Sequence, residues 1–297
     1  MNITIGSRGS DLALWQAHFV KRQLEEQGHS VSIEIIVTKG DRIQDLSFDK
    51  IEGKGFFTKE IEDALLNGKI DLAVHSHKDL ETTSPEGLTI GAVSYRENPT
   101  DSLIIRKDVA DSSSKFKLSE TAVVGTSSAR RQTQLKRLMP QLEIKDLRGN
   151  VPTRIQKLRD GQYDAIVLAT AGLKRLEMDL SEFEWIELEP NDFVPAPAQG
   201  VLGLQIRSND TELAEALKAI HHQDVANCIE VERSILRLLD GGCQLPLGAY
   251  CYFKDDQWTV YTAFAPSKND IAELSFYQSN SSDQLAEEIV AHLTHAK

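Results

Sequence analysis

LLNGKIDLAVHS (65–76) and LRDGQYDAIVLAT (158–170) are the two stretches that decide the fold. Laid over one another without a gap, they pair Leu65 with Leu158, Gly68 with Gly161, Asp71 with Asp164 and Val74 with Val167. Each reads as a helix end, a glycine stop and an apolar strand, which is the second half of a βαβ unit. Any two βαβ units look alike in outline. Four identities in register, and the like character of ITIGSRGS (3–10) and AVVGTSSA (122–129), make this an internal repeat.

Working outward from the pair, residues 2–7 read as a strand and 10–28 as a helix with Ser10 as its N-cap. Residues 30–38, 121–127 and 142–147 read as strands, and 58–68, 128–139 and 152–161 as helices, the last with Pro152 near its first position. Residues 39–57 are polar and glycine-punctuated, too long for a simple connection, and read as a lid or binding loop. RENPT (96–100) and VPAPAQG (194–200) read as two crossings between the halves. The expected fold is two similar periplasmic-binding-protein-like α/β domains with mainly parallel sheets, plus a small C-terminal α+β domain. The expected boundaries are 1–96 with 195–215, then 100–193, then 218–297.

The chain has 297 residues, 40% hydrophobic and 26% charged, which suits a soluble multidomain protein. No apolar run reaches the roughly 20 residues of a membrane span, and the start lacks a secretory pattern, so a cytoplasmic protein with no membrane partner is expected. A net charge of −12 disfavours nucleic acid as a partner. The arginines are nevertheless clustered, and local positive islands suit a small anionic ligand.

In open α/β sheets, ligands collect where strands end and helices begin. Four loops belong there: GSRGS (6–10), HSHKD (75–79), GTSSARR (125–131) and LRGNVPTR (147–154). Arg8, Arg130, Arg131, Arg148 and Arg154 can each fork two hydrogen bonds onto a carboxylate or phosphate, and Ser10, Thr126, Ser127 and Ser128 add hydroxyls. Taken singly, each arginine reads as a solvated surface charge; together they read as a polyanion site. Lys78 and Asp79 have Ala171 and Gly172 at the matching repeat positions, so one half carries a charged pair that the other lacks. His75 and His77 alternate without a third ligand nearby, and no metal site is expected.

The three cysteines, Cys228, Cys243 and Cys251, are odd in number and fit neither a disulfide framework nor a zinc pattern. Cys228 and Cys251 read as core residues. Cys243 sits in DGGCQLPLG (240–248), where glycines permit unusual backbone angles and close approach. From its setting alone it is inert, catalytic or a covalent attachment point.

VHSHKD, GTSSARRQ, LRGNVPTR and GGCQLPLG, in that order, closely resemble the porphobilinogen deaminase (hydroxymethylbilane synthase) family. SRGSDLALWQA, TKGD, GKGFFTKE and YDAIVLATAGLKRL extend the resemblance over residues 4 to about 250. It implies a transferase of tetrapyrrole biosynthesis that condenses four porphobilinogen molecules head to tail, each losing ammonia, and releases hydroxymethylbilane. It implies a dipyrromethane cofactor held through a thioether to Cys243. It also implies that Asp79 is the catalytic aspartate, with Lys78 beside it. Ser76, Lys78, Thr126, Ser128, Arg130 and Arg131 then hold the cofactor's carboxylates, and Arg8, Ser10, Arg148 and Arg154 the substrate's. Asp41, Lys54, Lys59, Arg175 and Gln199 match further family positions, and residues 52–55 fall in the expected lid.

The chain departs from the family pattern at PAPAQG, where a glycine often precedes the glutamine, and after HSHKD, where Leu-Glu replaces Leu-Pro or Val-Pro. Two rival readings remain. A non-catalytic binder of small carboxylates has no use for Cys243 or for Lys78 with Asp79. A Schiff-base enzyme built on Lys78 conflicts with Asp79, which favours the charged ammonium. A monomer is expected.

Overall fold

The computed structural model describes residues 1–42, 58–242 and 244–295. The chain divides into two compact units, Met1–Glu97 with Val201–Ala226, and Asn98–Gly200 with Asn227–Lys297. It begins with β1 (Asn2–Ser7), α1 (Asp11–Glu26), β2 (Ser30–Ile35), α2 (Lys39–Arg42), α3 (Lys59–Leu66), β3 (Leu72–Ser76) and β4 (Leu88–Val93). The second unit opens with β5 (Asp101–Arg106), β6 (Val123–Gly125), α4 (Ala129–Leu138) and β7 (Glu143–Lys145). It continues through α5 (Val151–Arg159), β8 (Ala165–Ala169), α6 (Thr170–Arg175) and β9 (Phe183–Leu188). The chain then adds β10 (Leu202–Arg207) and α7 (Thr211–Leu217) to the first unit. It ends with α8 (Gln223–Leu238), β11 (Leu247–Lys254), β12 (Gln257–Phe264), β13 (Glu273–Ser279) and α9 (Leu285–His295).

The two α/β sheets have one topology. The first runs β2-β1-β3-β10-β4 and the second β7-β6-β8-β5-β9. In each, four strands point the same way, and β10 or β5 lies antiparallel to both of its neighbours. Both of these strands are the first to form after the chain passes from one unit to the other.

The matched repeat residues do matched work. Gly68 and Gly161 end α3 and α5 at φ +68° and +73°, a conformation glycine adopts without a Cβ clash. The Asp71 carboxylate accepts the Thr4 backbone N–H at 3.0 Å, and the Asp164 carboxylate accepts that of Val123 at 2.8 Å. Leu65, Leu158, Val74 and Val167 are all buried. Burying a side chain of this size contributes about 1.5–3 kcal/mol, so each half carries its own apolar core.

α1 starts where Ser10 accepts the Ala13 N–H, and it buries Gln16, Ala17, Val20 and Leu24 at helical spacing. The core of the first sheet gathers Ile3, Ile5, Leu72 and Leu204 with Val20 and Leu24. The three-stranded sheet β11-β12-β13 packs Ala249, Cys251 and Val260 against Val231 and Ile235 of α8 and Ile289 of α9. The fully buried Glu232 of α8 accepts the backbone N–H groups of Ala198 and Cys251, each at 2.7 Å. One carboxylate thereby ties the segment before β10 to the C-terminal sheet within the second unit.

Candidate active site

In the first unit, three loops follow the carboxyl ends of β1, β2 and β3. Buried Ser7 closes β1 by donating to the Arg8 and Ala13 carbonyls, which sets the turn into α1. Arg8 meets Asp41 there, with Nε at 3.0 Å and Nη2 at 2.5 Å from the same Oδ1. Ser10 serves as the α1 cap. Ser76 accepts from buried Gln16 at 2.8 Å. Lys78 and Asp79 lie on a single 3₁₀ turn, His77–Asp79, directly after β3. That turn sits close against β10. A Cβ at Gly203 would come within 3.0 Å of both His77 and Leu80, so glycine is the residue that lets the strand approach. Lys59 is the first residue of α3.

His75, one residue before Ser76, is buried and bonds Gln205 on β10 at 3.1 Å. Burial, with a smaller push from the Arg8 charge, outweighs that bond and holds its pKa down to about 4. It is therefore neutral at physiological pH.

In the second unit, the loop between β6 and α4 carries Thr126, Ser127 and Ser128. Ser127 is consumed locally, since it donates to the Leu147 carbonyl and accepts the Leu147 N–H, both at 3.0 Å. Thr126 accepts the Ser128 N–H at 3.3 Å. Ser128 takes the N-cap position of α4 with no side-chain cap bond. Arg130 and Arg131 point inward and are almost fully buried. Arg130 places Nη1 2.7 Å from Asp101 Oδ2, and Arg131 places Nη2 2.6 Å from Asp101 Oδ1. Arg131 Nε adds a bond to Asp101 Oδ1 at 3.2 Å, and the two side chains also donate to the Val194 and Val167 carbonyls, each at 2.9 Å. Burial pushes the Asp101 carboxyl up, but the two guanidiniums outweigh it and hold it far below the usual carboxylate range. Two cations on one anion leave a positive surplus beneath the α4 N-terminus, which adds the positive end of its own dipole.

Arg148 and Arg154 differ from this pair in being only partly buried. Gly149 between them has φ +111°, and a Cβ there would lie 2.6 Å from Thr153. Asn150 caps α5 by accepting the Thr153 N–H at 2.9 Å, and Arg154 Nε donates to the Gly149 carbonyl at 2.7 Å. Arg175 donates to the Gly200 carbonyl at 2.7 Å. Gln199 donates to the Pro99 and Thr100 carbonyls and to Asp101. These two residues thus bind backbone around both crossing segments.

Lys54, the expected lid at 52–55 and Cys243 lie outside the described residues. The two glycines that precede Cys243 in the sequence are described. Gly241 is sterically required, because a Cβ would meet Leu245 at 2.5 Å and Leu236 at 2.8 Å. Gly242 is exposed, and among the described residues outside its chain neighbours nothing lies within 4 Å of its Cβ position. Among the described residues no cluster of three or more His, Cys, Asp or Glu could hold a metal, and no helix is long and apolar enough to cross a membrane.

Sequence reasoning missed Asp101 and Gln16. Asp101 opens the apolar strand DSLIIR, and a charge at a buried strand start demands a partner of opposite sign. The adjacent Arg130-Arg131 pair was the available signal.

Fold and loops together define a two-unit α/β protein whose strand-end loops gather arginines and hydroxyl side chains. Residues 3–215 match the family model described as porphobilinogen deaminase, dipyromethane cofactor binding domain, and residues 226–295 match the porphobilinogen deaminase C-terminal domain. The porphobilinogen deaminase of Nitrosomonas europaea is 42% identical over 295 residues, covering 98% of this chain and 94% of that protein. That of Maridesulfovibrio salexigens is 47% identical over 258 residues, covering 86% and 82%. The chain belongs to the porphobilinogen deaminase family. Among solved structures, the Bordetella pertussis BvgS periplasmic VFT2 domain matches at TM-score 0.45 and 16% identity, covering 78% of this chain and 93% of that one. An ancestral cationic amino acid solute binding protein matches at TM-score 0.43 and 18% identity, covering 73% and 86%.

Proposed function

We propose that the chain condenses four porphobilinogen molecules head to tail on a dipyrromethane primer attached to Cys243, and releases hydroxymethylbilane. The observation that carries this reading is the buried positive surplus of Arg130 and Arg131 over Asp101 at the start of α4. A polycarboxylate ligand is what such a surplus, hydroxyls and a helix N-terminus are suited to hold.

The residues fit the cofactor. Ser76, Lys78, Thr126, Ser128, Arg130 and Arg131 hold its acetate and propionate groups, and Cys243, which follows two glycines in the sequence, carries it. When bound, it supplies the primer to which the first substrate unit is joined. Arg8, Ser10, Arg148 and Arg154 hold the incoming substrate's carboxylates. Asp79 does the chemistry on that substrate. As the aminomethyl C–N bond breaks and ammonia leaves, positive charge spreads over the pyrrole ring, and a carboxylate at the pyrrole N–H stabilises it as it develops. Arg175 and Gln199 support the backbone around the crossing segments. The protein acts in the cytoplasm as a monomer, with porphobilinogen and no nucleic acid as its partner; the net charge of −12 supports the last point.

Incubation of purified protein with porphobilinogen tests the reading. Ammonia should be released in step with porphobilinogen consumed, and a linear tetrapyrrole should accumulate. Unchanged porphobilinogen would contradict it, as would ammonia release without a linear product.

A further inference from the structure

The assignment of Arg8 to a substrate carboxylate, on which this inference rests, raises the question of what fixes its guanidinium. The side chain is 30% exposed, and its carboxylate partner Asp41 is 24% exposed. Arg8 gives two donors to Asp41 Oδ1. The other oxygen, Oδ2, accepts the backbone N–H of buried Thr38 at 3.1 Å and its hydroxyl at 2.8 Å. Asp41 N–H returns a bond to the Thr38 carbonyl at 3.1 Å. Thr38-Lys39-Gly40-Asp41 is therefore a closed turn at the start of α2, in which the Asp41 carboxylate reaches back to accept both the N–H and the hydroxyl of Thr38.

Two consequences follow from this geometry. Four donors fill the four acceptor positions of a carboxylate, so Asp41 has no lone pair left for a pyrrole N–H or an aminomethyl group. It is not a second catalytic carboxylate. Its position is also set by its own turn and does not depend on Arg8. Burial pushes the Asp41 carboxyl up, and the bonds from Arg8 and Thr38 more than offset this, so it stays below the usual carboxylate range and ionised.

We propose that Asp41 is a positioning residue, a carboxylate held by its own turn through Thr38 that sets the rotamer of Arg8 for the substrate's carboxylate. A long arginine must be ordered when it binds an anion, and ordering it beforehand removes that entropy loss from the binding step. The alternative role is a place-holder that the substrate must displace. The two roles move KM in opposite directions.

The test compares D41N, T38V, R8Q and the D41N/R8Q double variant on holoprotein. It reads KM and kcat for porphobilinogen, together with water exchange of the Arg8 Nε–H in a nitrogen-15 spectrum, assigned by its loss in R8Q. D41N should raise KM about ten-fold with kcat within about two-fold of the parent, since uniform binding is lost and not transition-state stabilisation. T38V keeps the charge and loosens its anchor, and should raise KM by less. R8Q should raise KM at least as much as D41N, and adding D41N to it should change nothing further. Arg8 Nε–H should exchange faster in D41N.

A lowered KM in D41N would overturn the proposal in favour of the place-holder. Effects of D41N and R8Q that multiply would overturn it, as would unchanged Nε–H exchange. An impaired R8Q with an unaffected D41N overturns this proposal alone, whereas an unaffected R8Q overturns the Arg8 assignment and the proposal together.

Discussion

Asp79 and Ala198 show two ways in which one residue carries weight here. Asp79 sits on a one-turn helix closed by the Leu80 N–H on the His77 carbonyl, so its backbone is set by residues other than itself. Asp79→Ala should therefore fold as the parent does and lose turnover by about 10²–10³-fold, the usual cost of removing a charge-stabilising group. Circular dichroism with steady-state rates checks this, and turnover within a few-fold of the parent would remove Asp79 from the mechanism. Ala198 is a buried non-glycine residue at φ +62°, held there by its N–H bond to Glu232. The left-handed conformation costs an alanine about 1–2 kcal/mol, partly offset by the greater chain entropy that glycine loses on folding. Ala198→Gly should raise the unfolding free energy by up to about 1 kcal/mol, read from urea midpoints. A lower midpoint would show that the strain is absent. The sequence marked this position as a departure from the family pattern, but only the backbone angle says what the departure costs.

At the level of elements, the strands of the repeated units were legible, whereas β4, β5, β9 and β10 were not. Apolar runs such as DLAVHS and DAIVLA identify themselves by a glycine stop and β-branching. LGLQIR and DSLIIR are equally apolar, but nothing in a single strand encodes its direction, which is fixed by where the chain re-enters a sheet. The β3–β10 pair has a measurable consequence. His75 on β3 is bonded to Gln205 on β10 and titrates near 4, against 6.5 for an ordinary histidine. Between those values the unfolded chain binds the extra proton, so stability present above pH 6.5 is lost as pH falls towards 4. The difference corresponds to on the order of 3 kcal/mol. His75→Gln, which cannot ionise, should show a shallower fall in unfolding free energy over that window. Equal slopes for the two proteins would mean that His75 is not held neutral.

Across the whole molecule, the internal repeat explains most of what the sequence could tell. Asp71 and Asp164 match because each accepts a backbone N–H from the neighbouring parallel strand in the same way. The site was legible in residue types and less so in their roles. Five arginines on strand-end loops read as equivalent, yet Arg130 and Arg131 lie buried on Asp101, while Arg8, Arg148 and Arg154 are partly exposed. Burial is a property of the packed chain, and loop position alone does not specify it. The glycine pair before Cys243 joins these levels, with Gly241 demanded by packing and Gly242 exposed. The most direct measurement is therefore the intact mass of the purified chain, followed by peptide mapping, before and after incubation with porphobilinogen. The account predicts a mass excess equal to two pyrrole units on the peptide carrying Cys243, and none on those carrying Cys228 or Cys251. An adduct on either of those peptides, or no adduct even after incubation, would contradict it.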